Sequence, residues 1–303
     1  MLKKAETSRV FQEIRNLRKV GLPIIIAQLL LMSISVTDTI MAGNYSSNAL
    51  AAVAVGTSLM LPLYILLMGI LMAISPMVSH HIGGRKLSLV GRDVRQGLLL
   101  SQVLALPFFF ITRELSHLMV WMDVAPEIIP LTDAYLKAFA WGAPPAFAYL
   151  VLRFFNEGLG NTLPGMWVAF IGLLFNIPAN YILIYGKFGL PALGSEGCGY
   201  ASSIVGLILF MSLFLYCHKT VSFHRFKLFS WKEFSWQPKV LKEILKLGTP
   251  IGFTSTMEVT AFAAVSLIMA NLGTQIVAAH QIAINIAAVV YMIPFGLSMG
   301  ITT

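Results

Sequence analysis

The sequence predicts an all-α, polytopic transmembrane helix bundle of about eight helices. Of its 303 residues, 57% are hydrophobic and only 11% charged, and the mean hydropathy is +0.79. Windows long enough to cross a bilayer, about 20 residues as a helix, recur along the chain with no charge in them. Lipid accepts helices or closed barrels, and these apolar runs do not alternate, so they are helical.

In chain order, residues 1–20 form a basic, amphipathic segment. The apolar run after it is long enough to be a span, so no cleavable signal peptide is expected. Gly21 to Met41 contains one charge, Asp38, whereas Ala49 to Val78, Gly158 to Gly186 and Gly197 to His218 contain none. Shorter clean windows run from Gly97 to Thr112 and from Ala138 to Leu152, the second bounded by Lys137 and Arg153, whose long stems are expected to snorkel to the headgroups. From Leu247 to Thr303 the only charge is Glu258, and the polar break Asn271 to Gln275 divides that region in two. The expected spans are therefore 21–42, 49–79, 97–118, 130–155, 163–185, 198–218, 248–270 and 275–303. Two cysteines, Cys198 and Cys217, are too few for a disulfide framework.

With a cytoplasmic N-terminus, eighteen Lys and Arg residues fall inside and three outside (Arg113, Lys137 and Lys187). This positive-inside bias predicts a multi-pass protein of the inner (cytoplasmic) membrane with its N-terminus in the cytoplasm. The net charge of +8 is this topology signal; a nucleic-acid partner is not expected, because a basic reading face would not be distributed between apolar spans.

At an offset of 227 the sequence matches itself. Lys19, Gly21, Pro23 and Ile24 fall on Lys246, Gly248, Pro250 and Ile251, and Tyr64, Gly69, Met72 and Ile74 fall on Tyr291, Gly296, Met299 and Ile301. Six spans separate the copies, so both enter the bilayer from the same side, as a parallel repeat about an axis along the membrane normal. The expected organisation is a six-helix lobe over 21–218, a basic cytoplasmic linker over 219–247, and the first two helices of an incomplete second lobe over 248–303.

Eleven of the thirteen acids are expected in the tail, in loops or at span edges, Asp93 and Glu157 among them. Asp38 and Glu258 remain within spans, where an acid costs ~2.5–3.5 kcal/mol and marks a functional site by default. The repeat places Glu258 on position 31, two helical turns before Asp38, so both acids are expected on the inward face of their helices. On the fifth span Asn176 and Asn180 share a face around Pro178, offering hard oxygen donors for a small cation or a proton-linked network beside Asp38. The same two amides would also serve as interhelical hydrogen-bond links. "SHHIGGRK" (79–86) is expected to be a cytoplasmic loop. "GKFGLPALGSEGCG" (186–199) lacks the Gly-Lys-Ser/Thr ending of a phosphate loop and is expected outside. No nucleophile and base stand together, so an enzyme is not expected.

At "DTIMAG" (38–43), "RFFNEGLGNTLPGM" (153–166), "NIPANYILIYGKFGLPALGSEGCGYASS" (176–203) and "GTPIGFTSTMEVTAFAAVSLIMANLGTQIVAAHQIAIN" (248–285), the chain resembles the multidrug and toxic compound extrusion (MATE) family, NorM-type branch. The resemblance implies twelve spans in two six-helix lobes, of which this chain would hold about eight. It implies secondary antiport that exports cationic or amphipathic drugs in exchange for Na⁺ or H⁺, with no other cofactor. Asp38 matches the family's first-helix acid, Asn176 and Asn180 its fifth-helix polar partners and Glu258 its seventh-helix acid, and Ser202 falls where a sixth-helix threonine often stands. These five are the expected cation-coupling residues, and Asp38, Asn176 and Asn180 the expected Na⁺ ligands. The expected partners are small-molecule drugs and membrane lipid, with the protein a monomer. The alternative within this superfamily is a flippase for a lipid-linked saccharide. That cargo asks for a basic lumen, whereas the two intramembrane charges read from the sequence are acids.

Overall fold

The computed structural model describes residues 2–121, 125–229 and 235–270, and beyond these the single positions 283, 287, 290, 291, 294 and 296. In chain order the helices are α1 (Leu2–Tyr45), α2 (Ser47–Met72), α3 (Ile74–Gly83), α4 (Leu87–Glu114), α5 (Ser116–Trp121) and α6 (Ile129–Ala140), then α7 (Ala143–Gly158), α8 (Leu163–Tyr185), α9 (Ser195–Lys219), α10 (Val221–His224) and α11 (Pro238–Ala270). Among the described residues there is no strand.

Five stretches are long and apolar enough to cross a membrane: Lys19–Tyr45, Ser47–Gly83, Leu87–Met119, Leu163–Tyr185 and Ser195–Lys219. A sixth is made by α6 and α7 together, bent by 51°. The bend has a sequence cause. Pro144 and Pro145 lack backbone N–H groups, so a helix arriving from α6 cannot run on through them and restarts with proline in its first turn. Ser203 on α9 donates its hydroxyl to the carbonyls of Ala138 (2.8 Å) and Phe139 (3.1 Å) at the broken end. The expected seventh span lies in α11, and the eighth, 275–303, falls almost wholly outside the described residues.

Two features differ from expectation. The histidines of "SHHIGGRK" stand in α3 and not in a loop, and His81 Nε2 pairs with the Asp93 carboxylate at 2.8 Å. Asp93, expected at a span edge, is fully buried because Arg92 and His81 both reach it. Nearby, Gln96 donates to the Ser235 carbonyl and accepts from the Gln237 backbone N–H, tying α4 to the segment that leads into α11. α11 itself begins at Pro238, inside the expected linker and well before the apolar part of the seventh span begins.

The two copies of the repeat meet through glycine. Gly248 and Gly252, one turn apart on α11, cross α2 at Gly69 so tightly that a Cβ on Gly252 would lie 2.4 Å from the Leu66 carbonyl oxygen and one on Gly69 would lie 2.3 Å from the Cα of Gly252. Small residues at this spacing let membrane helices approach backbone to backbone. Adding 227 to Gly69 gives Gly296, and subtracting it from Gly252 gives Ile25. A Cβ on Gly296 would lie 2.4 Å from Cγ1 of Ile25. The crossing therefore occurs twice, with the roles of the copies exchanged.

Candidate functional site

α1, α8 and α9 converge on one carboxylate. Asn176 and Asn180, one turn apart on α8 and both fully buried, each donate Nδ2 to Oδ1 of Asp38, at 2.7 and 2.6 Å. Ser202 on α9 donates its hydroxyl to Oδ2 at 3.0 Å. The hydroxyls of Ser33, Thr37 and Thr39 bond back to carbonyls of their own helix, so these donors to Asp38 come from across the bundle. With both amide nitrogens turned to the acid, the Oδ1 atoms of Asn176 and Asn180 are buried without a hydrogen-bond partner. The four amino-terminal residues singled out in the sequence thus form one cluster.

Asp38 sits in the wall of a partly open cavity of about 580 Å³ lined by residues of α1, α2, α4, α6, α7 and α9. Leu31, the residue the repeat equates with Glu258, lines the same cavity, as a two-turn spacing requires. Farther along the wall Tyr64 stacks on Phe147 at 5.8 Å, and Phe108 meets Phe147 edge to face at 5.2 Å. Tyr135 faces Thr57 with its hydroxyl 3.3 Å from Oγ1. Its ring lies so close to α2 that a Cβ on Gly56 would meet it at 2.6 Å.

Two residues expected at the membrane face are buried instead. Arg153 and Glu157, 5% and 4% exposed, are paired at 2.7 Å from Nε to Oε1 along α7. Burying an isolated charge in lipid is prohibitive, whereas an i, i+4 partner of opposite sign on the same helix allows both to leave the headgroups. Arg153 lines the cavity and Glu157 does not. Among the described residues two of those lining the chamber are charged, Asp38 and Arg153. The sequence reading of an intramembrane charge set made only of acids is corrected accordingly.

Glu258 is exposed on α11 and does not line this cavity. Its polar neighbour is Tyr291, the repeat counterpart of Tyr64. Tyr135, Thr57, Tyr149 and Arg153 were not singled out as site residues. A tyrosine in an apolar span is most often packing, and the signal available for Arg153 was its spacing to Glu157.

The fold and site define a multi-pass helical membrane protein with an acid held by amides at the wall of a cavity between its helices. Residues 23–182 and 250–303 match the MatE family, and the chain belongs to it. It is 39% identical over 291 residues to the probable multidrug resistance protein NorM of Idiomarina loihiensis, covering 96% of this chain and 63% of that one. It is 37% identical to the multidrug resistance protein NorM of Aliivibrio fischeri (97% and 64% covered) and 40% identical to the multidrug resistance protein MdtK of Yersinia pestis (96% and 64%). The chain thus spans slightly under two thirds of the length of these relatives. Among solved structures it superposes on an outward-facing multidrug resistance MATE family transporter of the MOP superfamily with a TM-score of 0.80 at 20% identity, covering 94% of this chain and 62% of that one. It superposes on the eukaryotic MATE transporter AtDTX14 with a TM-score of 0.84 at 15% identity, covering 96% and 64%. Both likenesses are of fold.

Proposed function

We infer that the whole protein is a secondary antiporter that exports cationic or amphipathic organic compounds in exchange for Na⁺ or H⁺. The observation that carries this reading is the convergence of Asn176, Asn180 and Ser202 on the Asp38 carboxylate at the wall of a chamber sized for a small organic molecule. The relatives' names as multidrug resistance proteins support it.

Loss of hydration favours a protonated carboxyl and a neighbouring cation favours the ionised form, so Asp38 serves as the exchange point between substrate and coupling ion. The unpartnered amide oxygens of Asn176 and Asn180 fit a cation: turning either amide over presents a hard donor to an ion beside Asp38. The aromatic wall of Tyr64, Phe108 and Phe147 suits a lipophilic cation. Glu258 supplies a second acid from the other copy of the repeat. Alternating access follows if the two copies rock about their shared glycine crossings. The positive-inside count supports a cytoplasmic N-terminus in the inner membrane.

The test uses the whole protein in vesicles loaded with ethidium, with a Na⁺ or an H⁺ gradient imposed separately. Efflux should follow one gradient and stop when that gradient is dissipated. Extrusion indifferent to both gradients would refute antiport. Transfer of a lipid-linked saccharide without cation efflux would favour the flippase.

A further inference from the structure

The segment that follows α9 carries basic side chains with no acid among them. "HKTVSFHRFK" (218–227) holds His218, Lys219, His224, Arg225 and Lys227, and no Asp or Glu occurs between Glu196 and Glu233. This segment is a docked strap. Phe223 and Phe226 are buried and meet Phe155 of α7 edge to face at 5.4 and 5.9 Å, and Leu228 is buried in the same core. Gly91 on α4 leaves room for the Phe226 carbonyl, where a Cβ would collide. With these apolar residues inside, His224, Arg225 and Lys227 are exposed.

Lys227 is held in place by its backbone. Its φ of 49° lies in the left-handed region that favours glycine, and Arg95 donates from Nη1 to its carbonyl at 2.6 Å. A residue with a long side chain kept in that conformation by a partner on another helix points to a use for the side chain.

His218, His224 and Lys227 border a partly open pocket of about 200 Å³, shared with the apolar side chains of Phe223, Leu228 and Phe229. The His218 ring stacks on Phe214 at 6.1 Å and on Phe229 at 6.0 Å, and His224 donates from Nε2 to the His218 carbonyl at 3.0 Å. Among the described residues none of those lining this pocket is acidic, and none also lines the cavity at Asp38. The pocket lies where α9, a span of 25 residues, leaves the membrane. This is the end of the bundle that the positive-inside bias favours for the cytoplasm.

We propose that this pocket binds the headgroup of an anionic phospholipid of the cytoplasmic leaflet, with the phosphodiester at Lys227 between the two histidines and the glycerol against Phe223, Leu228 and Phe229. Basic pockets at the cytoplasmic ends of spans suit such headgroups. The apolar half of the pocket and its place at the membrane edge favour a lipid over a free phosphate ion. Because Gln96 ties the far end of the same segment to α4 just before α11, a bound lipid would steady the joint between the two copies of the repeat.

The test titrates the whole purified protein in dodecyl maltoside with dioleoyl phosphatidylglycerol or dioleoyl phosphatidylcholine, and bound lipid is counted by native mass spectrometry. Phosphatidylglycerol should half-saturate the protein at a concentration at least roughly fivefold below that of phosphatidylcholine. Lys227→Gln should raise the value for phosphatidylglycerol roughly fivefold and His224→Glu, which sets an acid in the same pocket, at least as much. Lys239→Gln, which removes an exposed charge outside the pocket, should leave it unchanged. Where one of the two pocket variants fails to fold, the other decides. Equal binding of the two lipids by the wild type overturns the site. So does a loss in Lys239→Gln as large as that in Lys227→Gln, which would mark a general attraction of basic surface to anionic lipid. Competition by inorganic phosphate at the lipid's own concentration would assign the pocket to a free anion and overturn the lipid reading.

Discussion

Asn180 donates from Nδ2 to Oδ1 of Asp38 at 2.6 Å, although 142 residues separate the two in the chain. A hydrogen bond to a charged group contributes about 1.5–3 kcal/mol, so the ionised acid depends on this amide. Asn180→Leu, close in size and without donor or acceptor, should lower the apparent affinity for the coupling ion by roughly tenfold or more. The check is the ion concentration giving half-maximal efflux in vesicles; an unchanged value would show that the amide only links helices.

Asp38→Asn keeps the size of the side chain and removes its charge. Protein yield and thermal midpoint should stay near the wild type, while ion-driven efflux of ethidium should disappear. Efflux at the wild-type rate would remove Asp38 from the mechanism.

Glu157→Ala leaves Arg153 buried without its partner. Breaking a buried pair from one side costs roughly 3–5 kcal/mol, more than replacing both members together. Thermal unfolding in detergent should therefore rank Glu157→Ala well below Arg153→Gln/Glu157→Gln. Equal midpoints would mean that Arg153 finds water or headgroups when Glu157 is lost.

The glycine crossings should differ in their tolerance. A Cβ on Gly252 would meet the Leu66 carbonyl oxygen, which cannot move without moving α2, whereas a Cβ on Gly296 meets chiefly the side chain of Ile25. Overpacking costs typically about 1–3 kcal/mol. Gly252→Leu should sit at or above the top of that range and Gly296→Leu below it, read as the fall in thermal midpoint. The reverse order would contradict the close approach of α11 to α2.

Much of the membrane architecture was legible in the chain because lipid imposes one simple demand, that spanning backbone satisfies its own hydrogen bonds within apolar helices of fixed length. Asp38 was conspicuous for the same reason, since an acid in an oily segment requires an explanation. The shared face of Asn176 and Asn180 followed from helical period alone. The bend between α6 and α7 was written in Pro144 and Pro145, but its direction was not, because that depends on where Ser203 of α9 stands to receive the freed carbonyls.

Sequence by itself thus determined the class of fold, the repeat, and the residues from three distant stretches that carry the polar chemistry. Tertiary structure alone decided the geometry in which those residues meet at one carboxylate, and that Arg153 lines the chamber while Glu157 does not. The physical reason is that helical period fixes which side chains share a face, whereas what that face meets, lipid, a neighbouring helix or a cavity, is set by packing between segments more than a hundred residues apart.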